Sequence, residues 1–178
     1  MKSKVELQDS LAGELASAIN KKFKNTGYKT AYFLNQDTDS PSEVRGWIPT
    51  GSDMLDLAIS NREHGGFPVG RITEITGLEA SGKSLLAAHA LASTQKQGGL
   101  AVYIDTENAV SRDFLEAIGL DLEKMLYVPL DTIEDVFEAI ESIVVGVRNS
   151  SKDRLVTIVV DSVMGASTKI EMAKEFDK

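Results

Sequence analysis

Residues 77–84 read GLEASGKS, two glycines five positions apart followed at once by a lysine and a hydroxyl. The G-x-x-x-x-G-K-[ST] pattern has a physical meaning only where a strand ends, the chain curls through a glycine loop and a helix begins. Its flanks read that way. RITEIT at 71–76 is rich in β-branched residues and reads as a strand. GKSLLAAHALASTQKQGG at 82–99 reads as a Leu- and Ala-rich helix closed by paired glycines. A helix start leaves N–H groups unpaired and carries partial positive charge, and glycines at 77 and 82 let the loop aim those amides at phosphate oxygens. In this reading Gly77, Leu78, Glu79, Ala80, Ser81 and Gly82 form the cradle of a nucleoside triphosphate. Lys83 reaches the terminal phosphates, and Ser84 offers its hydroxyl to Mg2+.

The rest of the chain predicts a scaffold suited to such a loop. LAVYID (100–105) and MLYVPL (125–130) read as strands, with a short helix SRDFLEAIG (111–119) between them. Residues 131–147 read as a helix, with Asp131 and Glu134 as its capping signal. Ile133, Val136, Phe137, Ile140, Ile143, Val144 and Val147 lie along one face of it. RLVTIVVD (154–161) has no polar alternation beyond Thr157, as expected of a strand covered on both faces. Apolar strands alternating with helices predict an α/β fold, a mostly parallel sheet flanked by helices. Upstream, IPTGSDMLDLAI predicts a turn at Thr50–Gly51 and a short helix, and EHGGFPVG a turn-rich connector. The Asp- and Ser-rich stretch 35–47 reads as a linker between an N-terminal helical arm (1–34) and a core (48–178). The arm carries Leu7, Leu11, Leu15, Ile19 and Phe23 near helical spacing.

Composition narrows the function classes. The absence of cysteine excludes disulfides, thiolate metal sites and a cysteine nucleophile. No apolar run approaches the roughly 20 residues of a membrane span, and MKSKVELQDSLAGEL has acids where a secretory signal is apolar. A cytoplasmic protein without a membrane partner is expected. The net charge of −8 argues against broad nucleic-acid binding by these residues, although positions 1–30 hold six lysines against three acids.

Two acids complete the expected chemistry. Asp161 ends the apolar strand TIVVD, on the edge of a parallel sheet where ligands bind, and reads as the second Mg2+ partner, acting through water. YIDTEN places Asp105 and Glu107 at the same edge. Glu107, just past the strand, is expected to face the γ-phosphate and activate water, while Asp105 fixes the loop. His64 and His89 lack ligand spacing, and Trp47 alone gives no base-stacking platform.

Taken together, IPTGSDMLDLAI, GGFPVGRITEITGLEASGKS, YIDTENAV and TIVVDSVMGAST resemble the bacterial RecA recombinases and their phage-encoded relatives in order and spacing, over roughly residues 45–175. The resemblance implies the P-loop NTPase fold of that family and an ATP- and Mg2+-using, DNA-dependent ATPase. It also implies homo-oligomeric filaments on single-stranded DNA that exchange strands, with an N-terminal arm packing on the adjacent protomer, in the host cytoplasm if phage-encoded. By motif, Gly77 to Ser84 is the phosphate loop, Glu107 and Lys83 act in catalysis, and Asp161 is the Walker B acid. Phe114 stands where many relatives stack a tyrosine on the adenine, and Ser111 where many have an aspartate, which leaves base selectivity open. The family continues past the Walker B strand with two DNA-binding loops, a sensing glutamine and further central strands, so the resemblance implies an N-terminal fragment. Two other readings remain. One is a different ATPase of the same fold group, of the helicase or clock-protein kind; the other is a non-enzymatic module that caps filaments of a full-length partner.

Overall fold

The computed structural model describes residues 10–34, 40–151 and 153–175. The described residues fall into two compact units, divided after Val44. The first unit contains helix α1 (Ser10–Lys22), followed by a short 3-10 turn at Lys24–Thr26. Asn20 ties that helix to the chain that follows it: its side-chain oxygen accepts the N–H groups of Thr30 and Ala31, each at 2.8 Å. Leu11, Leu15, Ile19 and Phe23 are all exposed, and Leu7 lies outside the described residues, as does 35–39 of the expected linker.

The second unit begins with a two-residue strand β1 (Trp47–Ile48), helix α2 (Asp53–Ser60) and strand β2 (Phe67–Pro68), the two strands pairing antiparallel. Trp47 thus opens a strand, and its ring lies 5.6 Å from the Arg62 guanidinium carbon. Next come α3 (Lys83–Lys96), β3 (Leu100–Asp105), α4 (Arg112–Ile118), β4 (Met125–Pro129), α5 (Ile133–Ser150), β5 (Val156–Asp161) and α6 (Lys169–Glu175).

Three of these strands form a parallel sheet in the order β4-β3-β5. Every second residue of the central strand points to the same face. Ala101 and Tyr103 meet Ala88, Leu91 and Ala92 of α3 and Leu115 of α4, whereas Val102 and Ile104 meet Val136 of α5. Both faces of β3 are therefore covered, which accounts for its unbroken apolar run. Leu91, Ala101, Val102 and Ile104 are fully buried. No helix among the described residues is long and apolar enough to cross a membrane.

Three local expectations need correction. Residues 71–76 form no strand: the segment lies outside both sheets, and Ile72 is fully exposed. β-propensity measures fit to a partner strand more than a backbone preference, and none of the three parallel strands pairs with this segment. The cap of α5 is shifted by one residue. Thr132 accepts the N–H of Asp135 at 3.3 Å and donates to its carboxylate at 2.6 Å, so Thr132 and Asp135 replace Asp131 and Glu134. The buried stripe of α5 is also narrower than its apolar one, since Phe137 and Val144 are exposed.

Candidate functional site

The parallel register decides which side chains meet at the sheet's C-terminal edge. Tyr103 is opposite Tyr127 on one side and Val159 on the other, and two residues later Asp105 is opposite Asp161. With a period of two, all of these share the face that packs on α3. The result is a layer of tyrosine rings beneath a layer of carboxylates. Tyr103, 2% exposed, donates its hydroxyl to Asp161 Oδ2 at 2.7 Å. Tyr127 donates to Asp105 Oδ2 at 3.0 Å. Burial, then the bond to and charge of Asp161, push the Tyr103 phenol far above its ordinary range; burial and Asp105 push Tyr127 up as well. Both hydroxyls stay protonated and serve as donors.

Asp105 also organises the loop that follows β3. Its Oδ1 accepts the N–H of Glu107 at 3.1 Å and its Oδ2 that of Val110 at 3.2 Å. The ends of β3 and β5 are laced together one step further on. Thr106 Oγ1 accepts the N–H of Ser162 at 3.0 Å and donates to the Ser162 carbonyl at 2.6 Å. Ser162 Oγ accepts the Gly165 N–H at 3.1 Å and donates to Glu107 Oε1 at 2.7 Å. Gly165 has to be glycine for this: an added Cβ would stand 2.7 Å from Glu107 Cγ and 2.8 Å from Thr106 Oγ1. The Asp161–Ser162 peptide bond is cis.

Above this edge lies a cleft of about 190 Å3 lined by Ser84, Tyr103, Asp105, Glu107, Ala109, Val110, Ser111, Phe114 and Asp161. Six residues singled out from the sequence, Ser84, Asp105, Glu107, Ser111, Phe114 and Asp161, are thereby brought together. They come from the start of α3, the end of β3 and the loop after it, helix α4 with its N-cap, and the end of β5. The glycine loop itself does not line the cleft. All of 77–81 is exposed, and Lys83 folds back on it, its ammonium donating to the carbonyls of Gly77 at 3.0 Å and Leu78 at 2.8 Å.

Gly82 is the N-cap of α3 with φ 92° and has no side chain to cap the first turn, so the opening amides of a 14-residue helix are left for an incoming acceptor. Ala80 adopts φ 57°, a left-handed conformation that penalises Cβ. Ala80→Gly is therefore expected to stabilise the chain by about 0.5 kcal/mol in denaturant unfolding, the relief of strain outweighing glycine's extra freedom when unfolded.

No group of three or more His, Cys, Asp or Glu residues forms a metal site among the described residues. What the cleft offers instead is a set of oxygen groups, among them the Ser84 hydroxyl at the start of α3 and the strand-end carboxylate of Asp161. These are hard oxygen donors that suit Mg2+, which binds through one or two protein groups, waters and substrate phosphates. Sequence reasoning missed Tyr103, Tyr127, Thr106 and Ser162. The signal for Tyr103 was available: it stands two residues before Asp105 on one strand, a polar tip inside an apolar run.

Comparison with known proteins covers nearly the whole chain. A family model, that of the RecA N-terminal domain, matches residues 13–178. Proteins named RecA are similar to it: that of Kineococcus radiotolerans is 39% identical over 152 residues, 85% of this chain and 40% of the relative. That of Leifsonia xyli subsp. xyli is 37% identical over 175 residues, 98% of this chain and 44% of the relative. That of Treponema denticola is 41% identical over 128 residues, 72% of this chain and 29% of the relative. The chain spans less than half the length of these relatives.

Proposed function

The chain belongs to the RecA family, and on that footing we propose that its cleft binds ATP with Mg2+ and hydrolyses it within a DNA-recombination filament. The observation that carries this reading is the convergence of Ser84 and Asp161 on one cleft, from elements 77 residues apart in sequence. Asp105, Glu107 and Asp161 all line that cleft, so a bare polyphosphate meets three carboxylates and is repelled. Binding therefore depends on cations: the Lys83 ammonium, the first amides of α3, and a divalent ion held by Ser84 and, through water, Asp161. An ion held there would supply positive charge against the phosphate oxygens, where negative charge develops in the reaction.

Each remaining residue takes a defined role. The backbone from Gly77 to Gly82, with Leu78, Glu79, Ala80 and Ser81 between, wraps the phosphates once Lys83 releases the carbonyls of Gly77 and Leu78. Glu107, held by Ser162, orients and deprotonates the attacking water. Phe114, Ala109 and Val110 give the base an apolar wall, and the Ser111 hydroxyl both donates and accepts, so it does not by itself select an amino over a keto edge.

The activity of the whole protein follows as part of the same proposal. ATP binding supports a homo-oligomeric filament on single-stranded DNA, with α1 and its exposed Leu11, Leu15, Ile19 and Phe23 packing on the adjacent protomer, and the filament carries out homologous pairing and strand exchange. Contact with DNA is assigned to the part of the relatives that these residues do not span, because this chain carries 27 acids against 19 basic residues.

Calorimetric titration with ATP at graded Mg2+ tests the reading. Wild-type binding is expected to require Mg2+, and Asp161→Asn to raise the Mg2+ needed for half-maximal binding by about tenfold or more. ATP binding indifferent to both the ion and the substitution would remove Asp161 from the site.

A further inference from the structure

We propose that Tyr103 is a positioning residue for the ion-binding carboxylate: its buried hydroxyl fixes the orientation of the Asp161 side chain in the wall of the cleft that Ser84 also lines. The inference rests on the nucleotide reading above and adds to it a residue from the middle of the central strand.

Geometry supports it. Tyr103 lies on β3 and Asp161 on β5, and the register places Tyr103 beside Val159, one same-face position before Asp161. Its ring is packed among Ala88, Leu91, Ala92 and Leu115, so the phenol cannot swing away. Its hydroxyl, 2.7 Å from Oδ2, takes one carboxylate oxygen and thereby sets the rotation of the whole group. An aspartate has only two side-chain torsions, and a single strong donor on one oxygen removes most of that freedom. Asp105, in register with Asp161 on the same face, has its own phenol, that of Tyr127, and uses its two oxygens to hold loop amides as well. Tyr127 therefore serves as an internal comparison: a hydroxyl of the same kind, in the adjacent strand, on the carboxylate that fixes the loop.

The test uses Tyr103→Phe, which keeps the ring and removes the hydroxyl. In the nucleotide-free chain, NMR three-bond couplings are expected to show Asp161 in one rotamer in the wild type and averaged in Tyr103→Phe. The Mg2+ needed for half-maximal ATP binding is expected to rise about fivefold, below the 10–100-fold typical of direct outer-shell partners because the carboxylate acts through water. In an Asp161→Asn background the same change is expected to add nothing, and Tyr127→Phe is expected to leave the Mg2+ requirement within about twofold. An Asp161 rotamer unmoved by Tyr103→Phe overturns the inference, and so does a Tyr103→Phe shift that persists in full on top of Asp161→Asn, or one matched by Tyr127→Phe. A wild-type chain that binds no ATP at any Mg2+ concentration overturns the functional reading instead, and the rotamer measurement then decides the inference alone.

Discussion

Lys83→Ala is expected to lower the affinity for Mg·ATP by about a hundredfold or more while barely moving the unfolding midpoint. A phosphate-bound ammonium makes charge-assisted hydrogen bonds worth about 1.5–3 kcal/mol, and each 1.4 kcal/mol is tenfold in affinity. The Lys83 ammonium here bonds the Gly77 and Leu78 carbonyls of its own loop, at 3.0 and 2.8 Å. Both acceptors lie on an exposed loop, so water replaces the ammonium there at little cost to folding. Binding, by contrast, has to bring a polyanion to a rim carrying Asp105, Glu107 and Asp161. Removing the Lys83 ammonium leaves that repulsion opposed by amides and Mg2+ alone. Lys83→Arg is expected to recover only part of the affinity, since a planar guanidinium is wider than an ammonium and presents its donors in a fixed fork. Titration calorimetry reads the affinity and denaturant unfolding the stability; equal affinity in wild type and Lys83→Ala removes the phosphate loop from the account.

How much of this was legible in the sequence depends on the range of the interaction that decides each feature. The strands at 100–105, 125–129 and 156–161 are apolar, β-branched and bounded by turn residues, and the structure forms them within a residue or two of where they read. Segment 71–76 has the same composition and stays outside both sheets, because a strand is completed by a neighbour's hydrogen bonds and composition does not say whether one is adjacent. The cleft shows the same division. Ser84, Glu107 and Asp161 were readable because each ends or follows a strand or opens a helix, and their convergence follows from parallel connectivity. Tyr103 and Ser162 act through partners 58 and 55 residues away, a pairing fixed only by strand register. A periodicity of two predicts that Tyr103 and Asp105 share a face, but not that β5 brings Asp161 beside them.

Glu107→Gln is expected to slow release of phosphate from bound Mg·ATP by about 10²–10⁴-fold, the usual contribution of a positioned general base, with ATP affinity within a few-fold. The carboxamide keeps the shape and loses the ability to take a proton, so a loss confined to the rate identifies base chemistry. Neighbouring variants extend the test to position. Ser162→Ala removes the donor 2.7 Å from Oε1, leaving the carboxylate in place but unanchored. Gly165→Ala puts a Cβ against Glu107 Cγ and Thr106 Oγ1 and forces the side chain aside. If Glu107 works by holding a water in line with the γ-phosphate, both substitutions lower the single-turnover rate without weakening binding. Gly165→Ala has the larger effect, because displacement by even an ångström costs more than a lost restraint. A Glu107→Gln chain that hydrolyses at the wild-type rate excludes Glu107 as the base. A normal Glu107→Gln defect combined with a wild-type rate in Gly165→Ala shows instead that the contact with the Ser162–Gly165 turn has no part in catalysis. Both outcomes are read in one single-turnover experiment, and they separate the chemistry of the carboxylate from the scaffold that aims it.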